Sequence, residues 1–196
     1  KVTVGISVDM KRLPEGARLE VTTKKALSPE AKAGFELLAR EGDGTIADVG
    51  VVVEVKKENL VNGTDIGEVS VQMCVGPSWV ARMGGVERIK GSRLADDGTR
   101  EFLETQLLGP NAEGQTCFAV ISPKGFSIFA LMAIAPRPAA FEVRGMSIKP
   151  EVVTPGQLAQ VVVTVANNGG NTGTYNVLLT IDGQVVSTKP VTLVAG

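Results

Sequence analysis

Ser-Pro-Lys-Gly-Phe-Ser-Ile-Phe-Ala-Leu, residues 122–131, is the stretch that decides the fold. Pro123 and Gly125 punctuate a tight turn. From there Phe126, Ile128 and Ala130 alternate with Ser127, Phe129 and Leu131. A period of two marks a strand, and apolar residues on both of its sides predict burial between the layers of a β-sandwich. Its one reactive group is a serine hydroxyl.

The composition agrees. Hydrophobic residues are 43% of the 196-residue chain, too many for disorder, while aromatics are only 4%. Valine carries much of the apolar content, and its branched side chain suits a pleated surface. The 23 glycines and 10 prolines supply the turns that many short strands need. The fold class expected is all-β: two β-sandwich domains, with one short helix in the first.

Several function classes are disfavoured at this level. The net charge is −1 with no basic block, whereas nucleic-acid binding needs clustered Lys and Arg to replace counterions along the phosphates. No apolar run reaches the ~18–20 residues of a membrane span. No signal peptide is visible, and the first residue is Lys1, so the chain reads as a mature or excised piece of a longer one. Histidine is absent, which removes the commonest general base and zinc ligand. Two cysteines are too few for a zinc cage or a disulfide-dense scaffold. The chain therefore reads as non-enzymatic, without a cofactor.

In chain order, Val2, Val4, Ile6 and Val8 form one face of a first strand, and Ala17, Leu19 and Val21 part of a second. Ser28-Pro29-Glu30 opens a helix: a serine cap, proline at the first helical position and an acid at the positive end of the dipole. Ala31, Phe35, Leu38 and Ala39 share one of its faces, Gly42 is expected to end it in a left-handed cap, and the helix is expected to plug an open end or edge of the sandwich. Val49, Val51, Val53 and Val55 line one side of the next strand. Asn62-Gly63 turns the chain, and Val69, Val71, Met73 and Val75 form another inward face. Asp96-Asp97-Gly98 reads as a hairpin turn, and Gly109-Pro110-Asn111 as a further turn. Two prolines in three positions, Pro136 and Pro138, stiffen a connector. The domains expected are 1–134, a linker at 135–141, and 142–196. The second domain has alternating strands through Val161, Val163 and Val165 and on from Thr174, with a further one starting at Val191. It has roughly half the ~100 residues of an immunoglobulin-like sandwich, so it is expected to lack its last strands. They would come from further chain or from a partner.

Ile148-Lys149-Pro150, Thr154-Pro155-Gly156, residues 163–169 (Val-Thr-Val-Ala-Asn-Asn-Gly), Gly173-Thr174-Tyr175 and Ile181-Asp182-Gly183 resemble the CARDB family, immunoglobulin-like modules of archaeal and bacterial surface proteins. Pro77-Ser78-Trp79-Val80, Leu103-Glu104-Thr105 and the run at 122–131 resemble the PGF-pre-PGF type of β module in archaeal surface proteins, over about residues 68–133. Both resemblances imply an extracellular, cell-surface location in an S-layer, filament or stalk. Neither implies catalytic residues.

Candidate sites remain. Phe126-Ser127 is similar to the cleavage strand of GAIN-type autoproteolytic domains, but Gly125 stands where those carry histidine. Cys74 and Cys117 each fall in a predicted strand; they are either a disulfide or two buried thiols. Asp96 and Asp97 are weak calcium candidates, better read as turn chemistry. Asn62-Gly63-Thr64 fits the N-glycosylation pattern. Trp79 is either a sugar-stacking platform or an edge-packing residue. The function expected is a structural surface protein assembling with copies of itself or with other surface-layer proteins through β-sheet edges. The alternative is an adhesion module that binds glycan or protein.

Overall fold

The structure, a computed structural model, describes residues 2–196. It divides into two compact units, one running to Ala135 and the other spanning Pro136–Gly196.

The first unit contains β1 (Thr3–Met10), β2 (Arg18–Lys24), α1 (Pro29–Glu41), β3 (Gly44–Glu58), β4 (Ile66–Val75), α2 (Pro77–Arg82), β5 (Ile89–Leu94), β6 (Arg100–Pro110), β7 (Thr116–Ser122) and β8 (Ile128–Pro136). These strands make one eight-stranded sheet in the order β1-β4-β7-β6-β5-β8-β3-β2. β6 is where the sheet folds over. Leu103 and the residues before it pair with β5, and Glu104 onward pairs with β7. The inward faces of β4 and β7 thereby meet those of β3 and β8, and Val69, Val71, Met73, Phe118, Val51, Val53, Phe129 and Leu131 share one core. The all-β expectation holds, in a sandwich-like form built from a single sheet.

From Phe126 to Leu131 the stretch is covered on both sides, for a reason the period alone does not give. Phe129 and Leu131 enter the core between the two halves of the sheet. Ala130 and Met132 face the other way, under α1, against Phe35 and Leu38. The second layer over this part of the sheet is therefore the helix. It lies on a sheet face, where the sequence had suggested a plug over an end or edge. Ser28 Oγ accepts from the Ala31 amide as expected. Gly42 is not left-handed (φ −92°); the chain reverses one residue later, at Asp43 (φ 56°).

Other boundaries shift as well. Pro77-Ser78-Trp79 starts the short helix α2, with Pro77 in its first turn. Gly109-Pro110 is no turn: β6 continues through Pro110, and Gly109 (φ 88°) sits at a register shift opposite Cys117. The expected linker at 135–141 is shorter, because β8 runs to Pro136 and β9 begins at Phe141.

The second unit holds β9 (Phe141–Lys149), β10 (Gln160–Asn167), β11 (Gly173–Ile181) and β12 (Gln184–Leu193). They form two separate two-stranded antiparallel sheets, β9-β10 and β11-β12. The separate strand expected from Val191 is the end of β12, which runs as one strand from Gln184 to Leu193 and pairs with β11, with a register shift at Val186.

Candidate functional site

The turn that feeds β8 is held by side chains distant in sequence. Ser122 Oγ donates to the Gly125 carbonyl at 2.8 Å. Gly125 is left-handed (φ 78°), and a Cβ there would strike the Asn62 side chain, so glycine is required twice over. Asn62 then pairs with the Phe126 backbone as a strand would: its Oδ1 accepts from the Phe126 amide at 3.0 Å and its Nδ2 donates to the Phe126 carbonyl at 2.8 Å. The same carbonyl accepts from Lys57 Nζ at 3.4 Å. As a glycosylation candidate, Asn62 carries its acceptor nitrogen in this internal bond.

Around that turn lies a mixed-charge cluster. Arg93 is 5% exposed, pairs with Glu101 at 3.2 Å and donates to the Lys124 carbonyl at 3.2 Å. Lys124 Nζ meets the other Glu101 oxygen at 2.9 Å. Lys57 Nζ lies 3.7 Å from Asp96. A cavity of about 390 Å³ opens here, lined by Arg93, Lys124, Asn62, Asp96, Asp97 and Thr99 among others. Its positive and negative groups largely satisfy one another.

The calcium candidates are turn residues. Asp97 Oδ1 accepts from the Thr99 amide at 2.9 Å, and this hydrogen bond holds the Asp97 carboxyl below its ordinary range. Among the described residues, no three His, Cys, Asp or Glu side chains gather where they would hold a metal ion.

Ser127 is 2% exposed, and its Oγ has no hydrogen-bond partner among the described residues. Its own carbonyl accepts from Val55 N–H at 3.1 Å, as part of the sheet. Among the described residues no base reaches the hydroxyl to make it a nucleophile.

Cys74 and Cys117 stand directly opposite each other in the β4–β7 ladder and are joined as a disulfide, both sides buried. Trp79 donates from Nε1 to Asp48 at 2.9 Å, and its ring lies over Gly50, where a Cβ would meet it at 3.0 Å. It packs against the edge of the core, with its polar tip occupied.

Lys57, Arg93 and Glu101 were not singled out from the sequence. One signal was there: Lys57 continues the inward face of Val51, Val53 and Val55, a cation on the apolar side of a strand.

The second unit presents a different kind of surface. No hydrophobic residue from Pro136 to Gly196 is fully buried, and the core ends at Ala133. Met146, Val161, Val163, Val177, Leu179 and Val191 help line an apolar cavity of about 290 Å³ between the two small sheets. One end is tied shut: Asn167 Nδ2 donates to the Asn171 and Val194 carbonyls at 2.8 and 2.9 Å, and the Phe141 and Tyr175 rings meet at 5.4 Å. Elsewhere Met146 is 68% exposed and Leu178 57%. No helix of the described chain is long and apolar enough to cross a membrane.

No family model, curated protein or solved structure matches the chain.

Proposed function

We propose that this chain is a non-catalytic structural protein that assembles with copies of itself through the sheets of its second unit, as a component of an extracellular layer, stalk or filament. One observation carries the reading. The second unit has the alternating strands of a sandwich and no fully buried hydrophobic side chain. Two-stranded sheets are marginal in water and need a covered apolar face. Unpaired sheet edges are templates for another chain, and strand addition is a common way to satisfy them. The first unit is a packed body that would carry this assembling module. The surface location rests on the resemblances at 68–133 and in the motifs between 148 and 183, and the buried disulfide suits an oxidising compartment.

Sedimentation across a hundredfold range of concentration, with electron microscopy of the same samples, tests the proposal. Growth of ordered oligomers with concentration supports it. A single-chain species throughout would refute it and favour an adhesion module whose loops bind glycan or protein. For that alternative the mixed-charge cavity beside Asp96 and Asp97 is the first place to look, since Trp79 is already engaged.

A further inference from the structure

The six strands that end a sheet fall into two kinds. In the first unit β2 is an edge and carries Arg18, Glu20 and Lys24. In the second unit β9 carries Glu142, Arg144 and Lys149, and β12 carries Lys189 followed by Pro190, which has no N–H to offer. Charges and proline on an edge are the usual means of preventing strand addition. The other three edges lack them. β1 has no charge from Thr3 to Val8, and its single acid, Asp9, falls at a register shift where flat pairing ends. β10 and β11 have no charged residue at all; none occurs between Glu151 and Asp182.

Length separates the two open edges of the second unit. β1 keeps an unbroken register over Thr3–Val8. β11 keeps one from Gly173 to Leu179, whereas β10 shifts after Thr164. The faces also match. Val4, Ile6 and Val8 point to the first unit's core, and Val177 and Leu179 line the open apolar cavity of the second. Joining β1 to β11 edge to edge would continue one apolar face into the other.

Resting on the assembly reading above, we infer that the edge of β1 in one copy pairs with the edge of β11 in the next copy, so that the contact is heterologous and head to tail. A contact between two different surfaces of the same chain repeats without closing on itself unless the rotation brings it round to a ring. It therefore builds a linear polymer, in which each copy uses β1 once and β11 once. The blunted edges β2, β9 and β12, with the register shift that interrupts β10 after Thr164, would keep that polymer from branching.

The test uses two variants of the whole chain, Ser7→Lys on the exposed side of β1 and Asn176→Lys on the exposed side of β11. Each puts a charge on an outward position and leaves the core side chains in place. Ser7→Thr and Asn176→Thr serve as uncharged controls, and circular dichroism checks that every variant keeps its strands. Sedimentation equilibrium is then run on each variant alone and on a one-to-one mixture of the two lysine variants. Head-to-tail pairing predicts that each lysine variant alone has the mass of a single chain. The mixture should give a species of twice that mass and nothing larger, because one intact β1 and one intact β11 remain. The threonine controls should polymerise like the wild type. If Ser7→Lys or Asn176→Lys alone still forms dimers, the contact is between like edges and the inference is overturned. If both still polymerise, the edges are not the contact. In both cases assembly itself stands. A wild type that stays a single chain refutes the assembly reading and this inference with it.

Discussion

Replacing Asn62 by alanine should be among the most damaging single changes at the surface of the first unit. Asn62 is only partly buried, but it supplies both hydrogen-bond partners of the Phe126 backbone, at 3.0 and 2.8 Å. Phe126 is 1% exposed, so water does not take over when the amide is removed. The Phe126 carbonyl would keep Lys57 at 3.4 Å and lose about 1 kcal/mol. The N–H would be left buried and alone, at a cost of about 1–3 kcal/mol. The expected loss is thus about 2–4 kcal/mol. With a slope of about 1–3 kcal/mol per molar urea, the unfolding midpoint should fall by about 0.7 M at the least and about 1.5 M at the middle of both ranges. Asn62→Asp keeps an acceptor for the N–H and loses the donor, so it should fall between wild type and Asn62→Ala. The assay is urea unfolding followed by the fluorescence of Trp79, which reports the first unit. A midpoint for Asn62→Ala within about 0.3 M of wild type, at unchanged slope, would show that the bracket does not hold the turn.

Three further outcomes are expected. The double variant Cys74→Ala, Cys117→Ala opens a loop of 43 residues and should lose about 3–4 kcal/mol in the same assay; a loss below about 1 kcal/mol would contradict the chain-entropy account. Glu54 is held below the ordinary carboxylate range, first by its hydrogen bond with Lys24 and then by the Lys24 and Lys56 charges. A lowered folded-state pKa contributes stability above the unfolded-state value and loses it as pH falls through the folded one. The melting advantage of wild type over Lys24→Met, less than about 1 kcal/mol for so open a pair, should therefore shrink on acidification below the usual Glu range; a constant gap would argue against the pair. In calorimetry at two protein concentrations, the transitions of both units should rise with concentration, because β1 of the first unit and β11 of the second each enter the contact, and transitions independent of concentration would count against assembly.

The strands and the helix were legible because their signals are local. Val69, Val71, Met73 and Val75 alternate and are all buried, and Ala31, Phe35, Leu38 and Ala39 share the buried face of α1. What joins the elements was not legible. Asn62 meets Phe126 across 64 positions, and Trp79 meets Asp48 across 31; no period in the sequence encodes such pairs. The double role of β6, with one end in each half of the folded sheet, likewise depends on where its neighbours lie. Asp97 and Thr99 were readable as turn chemistry because that hydrogen bond spans two residues.

The second unit shows what a hydrophobic period does and does not say. Val161, Val163 and Val165 alternate as cleanly as Val51, Val53 and Val55, yet only the second set is fully buried. Alternation identifies the face that gains by leaving water; burial also needs enough strands to cover it. In the first unit eight strands and a helix supply that cover. In the second, two strands face two, and the apolar side chains between them remain partly wet. An uncovered face alone would favour indiscriminate aggregation. The charges on β9, the Lys-Pro pair on β12 and the charges on β2 narrow the choice of partner, because each removes one way for a strand to add. On the assembly proposed above, apolar surface supplies the drive to associate, and the placement of charge leaves β1, β10 and β11 as the edges on which that drive would act.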